Sequence, residues 1–253
     1  MRVRPGWVAA GLLLLAAAAG CNNPLGVQYE YEEQLYLSVN GAATVILDSS
    51  IPALVALRGL PLDPAPNARV DRDGIRKMVE AAGCGKVRVG QPWRRQNRHF
   101  VQIRIATDDV RTLSTCGVLS WSKYSFGKDE AGLSYYQLVG AATGKDPGKI
   151  NWDGKELIAF KLHVPSHINY HNVRRLDNGQ PGNATRGNIL TWEQTLTDRR
   201  AGKPIDMQAR MDAESILYRT LILFGGAFAA ALAAIAGLIW ITVRRARAKK
   251  AIG

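Results

Sequence analysis

Residues 27–47 read VQYEYEEQLYLSVNGAATVIL, and the fold class follows from this stretch. Val27, Tyr29, Tyr31, Leu35, Leu37 and Val39 fall on alternate positions, with Gln28, Glu30, Glu32 and Gln34 opposite them. A period of two predicts a half-buried strand. Asn40-Gly41 follows, and then Ala43, Val45 and Leu47 alternate again. An Asn-Gly pair accepts the positive φ angles of a tight turn, so the stretch predicts a β-hairpin.

Working outward, Ser50 is placed to cap a helix over Ile51–Arg58, with Pro52 in its first turn and Gly59 stopping it. Leu54, Val55 and Leu57 give that helix a buried face, and Pro61, Pro64 and Pro66 predict a loop beyond it. Asp71 or Asp73 caps a second helix through Ile75, Met78, Val79 and Ala82. Short strands are expected at Lys86–Val89 and His99–Thr107, separated by a basic turn over Gly90–Asn97, and a short helix runs from Asp108 to near Cys116. Further strands are expected at 119–126, 133–139, 156–164, 188–196 and 204–211, and a mobile Gly/Asn/Arg-rich loop at 172–187. Strands outnumber helices and the helices come early. The expected class is α+β, a largely antiparallel sheet with two or three short helices, plus one C-terminal transmembrane helix.

Two apolar stretches bracket this region. Arg2 and Arg4 precede an apolar run from Val8 to Ala19, a length that suits an export signal. It ends Ala18-Ala19-Gly20-Cys21, and small residues directly before a Cys predict lipidation at Cys21; the alternative is ordinary cleavage after Ala19. Thr220 to Val243 carries no charge, and at ~1.5 Å per residue it would extend roughly 36 Å, enough to cross a bilayer. Arg244, Arg245, Arg247, Lys249 and Lys250 follow, and the positive-inside rule places them in the cytoplasm. The expected organisation is a signal peptide over 1–20, a lipidated Cys and tether over 21–26, an exported domain over 27–215, a span over 220–243 and a basic tail over 244–253. The expected location is a bacterial cell membrane, with most of the chain outside the cytoplasm. Gly225, Gly226, Ala229, Ala230, Ala233, Ala234 and Gly237 give the span a small-residue face against which another membrane helix could pack.

The net charge of +12 is concentrated at the ends. Setting aside Arg2, Arg4, Arg219 and the five tail residues leaves 25 basic against 21 acidic residues, a net of +4. That is a mildly basic surface and argues against a nucleic-acid partner. Cys84 and Cys116 are the remaining cysteines, each preceding a Gly at the end of an expected helix. In an oxidising compartment they are expected to form a disulfide, with two buried thiols as the alternative. Neither lies in a CxxC, so redox catalysis and zinc find no support.

Catalytic motifs are thin. Ser120-Trp121-Ser122-Lys123 matches SxxK but falls in an expected strand without its partner motifs. Gly140–Asp146 is one residue short of a phosphate-binding loop and has Asp where Ser or Thr is needed. His163, His167 and His171 recur every four residues, but Pro165 breaks a helix there, and on one strand neighbouring pairs would stand ~13 Å apart. No cofactor is expected. Trp93 with Arg94, Arg95 and Arg98 forms the candidate membrane-surface site, since Trp and Arg both suit the headgroup region; the alternative is a solvated basic turn.

The order of parts resembles the LppM-like bacterial lipoproteins: a lipobox, an exported α+β domain, one C-terminal span and a short basic tail. The Asn40-Gly41 hairpin entry and the stretch Gly187-Asn188-Ile189-Leu190-Thr191-Trp192 look similar. The resemblance implies an envelope protein without established catalytic residues that contacts lipids or glycolipids, and no site residue carries over from it. The expected function is therefore a non-enzymatic, membrane-anchored envelope lipoprotein binding lipid or glycolipid. The alternatives are a subunit or assembly factor of a membrane complex and, behind that, a hydrolase whose site forms only on folding.

Overall fold

The computed structural model describes residues 27–250. The signal segment, Cys21 and its tether, and residues 251–253 lie outside the described residues. The first elements are β1 (Tyr29–Leu37), β2 (Ala43–Ser50), α1 (Ile51–Arg58), α2 (Arg72–Ala81), β3 (Lys86–Val89), β4 (Trp93–Arg95) and β5 (Arg98–Thr107). A 3-10 helix (Val110–Thr115), β6 (Ser122–Asp129), β7 (Gly132–Val139), β8 (Leu157–His163) and β9 (Ile168–His171) follow. β10 (Ile189–Thr195), α3 (Leu196–Arg200), β11 (Ile205–Met211) and α4 (Ile216–Lys250) complete the chain.

The strands form two sheets. The large one has the order β10-β8-β1-β2-β5-β3, with β4 also on β5; the small one has the order β6-β7-β11-β9. Every pairing is antiparallel except β1 with β8. The hairpin around Asn40-Gly41 forms with Leu37 opposite Ala43, and Gly41 takes the positive φ of 87° that its turn requires. Ser50 caps α1 by accepting from the Ala53 amide, and Gly59 ends it in the left-handed region at φ 66°. All eight residues of α1 are buried, so it is a core helix rather than an amphipathic one. Asp71, not Asp73, caps α2.

The core lies between the sheets and under α1. Leu35, Leu47, Ile103, Ile105, Phe160 and Leu162 come from the large sheet, and Tyr135, Val139, Met207 and Met211 from the small one. Cys84 and Cys116 are bonded Sγ to Sγ, joining the end of α2 to the end of the 3-10 helix. The Gly117 amide donates to the Ala82 carbonyl at 2.7 Å beside that bridge.

Several expectations need correction. The strand expected from Leu119 starts at Ser122, because Leu119 and Ser122 donate back to Cys116 and Leu119 in consecutive tight turns. The basic turn at Gly90–Asn97 contains β4 and closes on Gln96 (φ 49°) and Asn97 (φ 60°), two left-handed residues as a two-residue hairpin turn demands. The segment after Asp108 winds as a 3-10 helix. β9 and α3 had no counterpart in the pattern: β9 is four residues long, and α3 begins where Thr195 turns the chain by accepting from the Asp198 amide.

α4 carries the apolar run. Ile216–Thr242 is 27 residues whose most apolar 18-residue stretch has a mean hydropathy of 2.3, and none of it is buried, so it is long and apolar enough to cross a membrane. It leaves the domain beside the end of β8: the Ile216 amide donates to the Pro165 carbonyl at 3.0 Å. Arg219 pairs with Asp212 at 3.1 Å and Glu214 at 3.3 Å.

Candidate functional site

The face of the large sheet turned away from the core is not bare. Glu32, Gln34 and Tyr36 of β1, Lys161 and His163 of β8, and Thr191 and Glu193 of β10 project from it, and the segment 173–186 overhangs the β10 edge. Together they enclose an open groove of about 870 Å³. The pleat explains the lining, because each of these residues alternates with a buried neighbour such as Glu33, Leu162 or Trp192.

The floor of the groove is internally paired. Lys161 Nζ bridges Glu32 at 2.6 Å and lies 4.9 Å from the Tyr29 ring centroid, while Tyr29 Oη donates to Glu193. Burial, then the bond and charge of Glu193, push the Tyr29 phenol far above its ordinary range, so it stays protonated. The Tyr36 ring stacks on His163 at 3.9 Å, and His163 Nε2 stands 3.1 Å from Gln34 Oε1. Burial, then Lys161, lowers the His163 pKa, so this imidazole is neutral at pH 7. The rim differs. Arg175 is held by Asp177 at 3.3 Å, but Arg174 and Arg186 make no ion pair among the described residues. The groove thus combines aromatic and hydrogen-bonding surface with two uncommitted guanidinium groups, which suits an anionic ligand with polar and apolar parts.

A second polar cluster lies between the sheets. Glu33 projects into the core and accepts from Tyr31 Oη at 3.0 Å, Tyr124 Oη at 3.3 Å and Gln137 Nε2 at 3.0 Å. Gln137 in turn donates to Ser122 Oγ at 3.1 Å and accepts from Tyr135 Oη at 2.6 Å. Burial raises the Glu33 pKa against these bonds and the pull of Arg58. The Arg58 and Arg199 guanidinium groups lie 4.0 and 5.4 Å from the Trp121 ring centroid and donate to the Val118 and Gly140 carbonyls. Because its polar partners come from both sheets, this cluster fixes how they stack.

The residues singled out in the sequence scatter. Trp93 stays exposed and stacks on Phe100 with centroids 5.7 Å apart; Arg94 is exposed and donates to Asn97 at 3.0 Å. Arg95 lies over the Phe100 ring at 4.2 Å and donates to the Tyr29 carbonyl. Arg98 is 7% exposed and bridges Glu30 at 3.0 Å, with Asn151 O as a further acceptor. The proposed four-residue membrane site therefore has to be corrected: Arg98 is a buried ion-pair partner of the core and Arg95 is largely committed inward, which leaves Trp93 and Arg94 at the surface. Cys21 lies outside the described residues.

The histidines do not converge. His163 is in the groove, His167 Nδ1 faces Asn169 at 3.2 Å, and His171 sits on β9; among the described residues no group of three or more His, Cys, Asp or Glu could hold a metal. Ser120 is exposed in a turn, donating to the Gly117 carbonyl. Gly140–Asp146 runs along α1, with Thr143 and Lys145 donating to the Leu57 and Val55 carbonyls and Gly140 to the Trp121 carbonyl, so three of its amides are already spent. Two features went unnoticed in the sequence. Glu33 occupies a position whose parity in β1 is otherwise apolar, and that parity marks it. Arg174 and Arg186 lay in a segment whose Arg content was visible but whose place over the sheet was not.

No family model matches the chain, and no curated protein matches it. Among solved structures, the chain is similar to the folded domain of LppM from Mycobacterium tuberculosis, determined by NMR. The likeness has a TM-score of 0.39 at 11% identity and covers 76% of this chain and 96% of that one.

Proposed function

We propose that the chain is a non-enzymatic domain held at a bacterial cell membrane, with its folded part outside the cytoplasm, and that it binds the anionic headgroup of a lipid or glycolipid in the groove over β1, β8 and β10. The single observation that supports this most is the unpaired Arg174 and Arg186 on the rim of an aromatic-floored groove of about 870 Å³. A membrane helix beside the groove end of β8 keeps such a site close to a concentrated supply of headgroups. The test is native mass spectrometry of the full-length protein in detergent with added phosphatidylglycerol. Bound lipid should be retained by the native chain and lost in Arg174→Ala/Arg186→Ala; equal retention by both proteins would refute the groove as the site.

A second reading, a subunit or assembly factor of a membrane complex, is favoured by the surface of α4. Gly225, Gly226, Ala229, Ala230, Ala233, Ala234 and Gly237 give it a face of small side chains, against which a partner helix could approach closely. Replacing Gly226 and Ala230 by Leu should then abolish copurification of that partner.

A further inference from the structure

The two ends of the domain leave the large sheet at opposite edges of its strand direction. Register establishes this. Tyr29 of β1 is level with Leu157 at the start of β8, and Tyr36 is level with His163 at its end. The β4–β5 hairpin belongs to the first edge, because Trp93 is opposite Phe100, Phe100 opposite Ser50, and Ser49 opposite Tyr31. Val27, Arg95 and Gln96 line one common cleft there, so the chain enters the domain beside the hairpin tip. α4 leaves from the second edge, bonded to Pro165 just beyond His163.

Only six peptide steps separate Cys21 from Val27, and fully extended they reach roughly 20 Å. The six steps of β8 from Leu157 to His163 span about 20 Å, and the four helical steps from Ile216 to Thr220 add about 6 Å above the hydrocarbon. An upright domain would thus hold its N-terminal edge roughly 26 Å above the membrane, beyond the reach of a lipid on Cys21. The strands must incline at least about 45° from the bilayer normal for the tether to close at full stretch. At the relaxed length of a six-residue chain, ~13 Å, the inclination becomes about 70°.

We propose that the domain lies on its side along the bilayer, with the β4–β5 hairpin end resting on the lipid surface as a third contact between the two tethers. This rests on the reading that Cys21 is lipidated and α4 spans the membrane. The side chains at that end suit the contact. Trp93 is 39% exposed with Arg94 exposed next to it in the chain, and Val27 is 57% exposed at the same end. An indole ring and a guanidinium group are suited to the headgroup layer. Arg95 and Arg98, bound inward, contribute by holding the hairpin rigid.

The experiment uses the full-length protein in vesicles of phosphatidylglycerol and phosphatidylethanolamine. Lys155→Cys, exposed at the same end, carries a fluorophore, and a fraction of the lipids carry a headgroup nitroxide. Mass spectrometry of the mature N-terminus is run on the same sample. With Cys21 lipidated, the label should be quenched. Quenching should be lost when Cys21→Ala removes the short tether while α4 keeps the protein in the vesicle, and weakened by Trp93→Ala/Arg94→Ala with the lipid in place. An unquenched label on protein confirmed as lipidated overturns the reclining pose alone. An unmodified Cys21 overturns the tether premise and the pose with it.

Discussion

Replacing Glu33 tests whether the two sheets are joined by a satisfied polar network. The carboxylate is buried and accepts from Tyr31, Tyr124 and Gln137, with Arg58 supplying nearby positive charge. Glu33→Ala strands three donors, each worth about 1–3 kcal/mol when left without a partner, though some can re-pair with one another. Removing the charge also leaves Arg58 less compensated in a buried site, so the net loss should be about 3–5 kcal/mol. Glu33→Gln keeps an acceptor for Gln137 and Tyr124 and should cost about 1–2 kcal/mol near pH 5.

The sign of the pH dependence separates these effects. Burial raises the folded-state pKa of Glu33 above its ordinary value of 4.5, so between those two values the folded chain holds a proton that the unfolded chain has released. This contribution to stability is complete below the unfolded pKa and is lost as pH rises through the folded one. Asp48, also raised by burial, acts in the same direction, so only the difference between native and Glu33→Gln isolates Glu33. Urea denaturation of the full-length protein in detergent, followed by Trp fluorescence from pH 4 upward, reads it. The native-minus-variant stability should fall with rising pH. A difference independent of pH, together with a Glu33→Ala cost below about 1 kcal/mol, would refute the reasoning.

Arg98→Ala leaves Glu30, 2% exposed, as an uncompensated buried charge and should cost about 3–5 kcal/mol in the same assay. Cys84→Ser/Cys116→Ser opens a loop with a sequence separation of 32 and should cost about 4 kcal/mol, matched by the native protein under reductant. Gly144→Ala places a Cβ over the Ala56 carbonyl and 2.6 Å from the Leu57 amide nitrogen, and should lower stability by about 1–3 kcal/mol without altering lipid retention.

What could be read in advance was local. Alternation over 27–47 and the Asn-Gly pair located β1 and β2, and Ser50, Pro52 and Gly59 bounded α1 to the residue. The apolar run past Thr220 marked the long helix. What could not be read was non-local. Nothing in residues 157–163 says that they lie parallel to β1, and the division into two sheets depends on which edges meet. The groove depends on that pairing twice over, since its floor needs β8 beside β1 and its rim needs 173–186 folded back over β10. Arg98 shows the same limit on one side chain. Beside Trp93 and two further arginines it reads as part of a basic surface, and only the approach of Glu30 across 68 positions of chain turns it inward.

The parallel pairing of β1 with β8 also imposes an order of events on the growing chain. β2 becomes available to one edge of β1 almost at once, but the other edge waits for Leu157–His163, about 120 residues further along the emerging chain. Throughout that interval a strand with one satisfied edge is open to mispairing with other chains. Glu30, Glu32 and Glu33 place three carboxylates in the first five residues of that strand, and repulsion between such edges keeps nascent copies apart until β8 arrives. Glu33, by this account, serves the chain before its core exists as well as after.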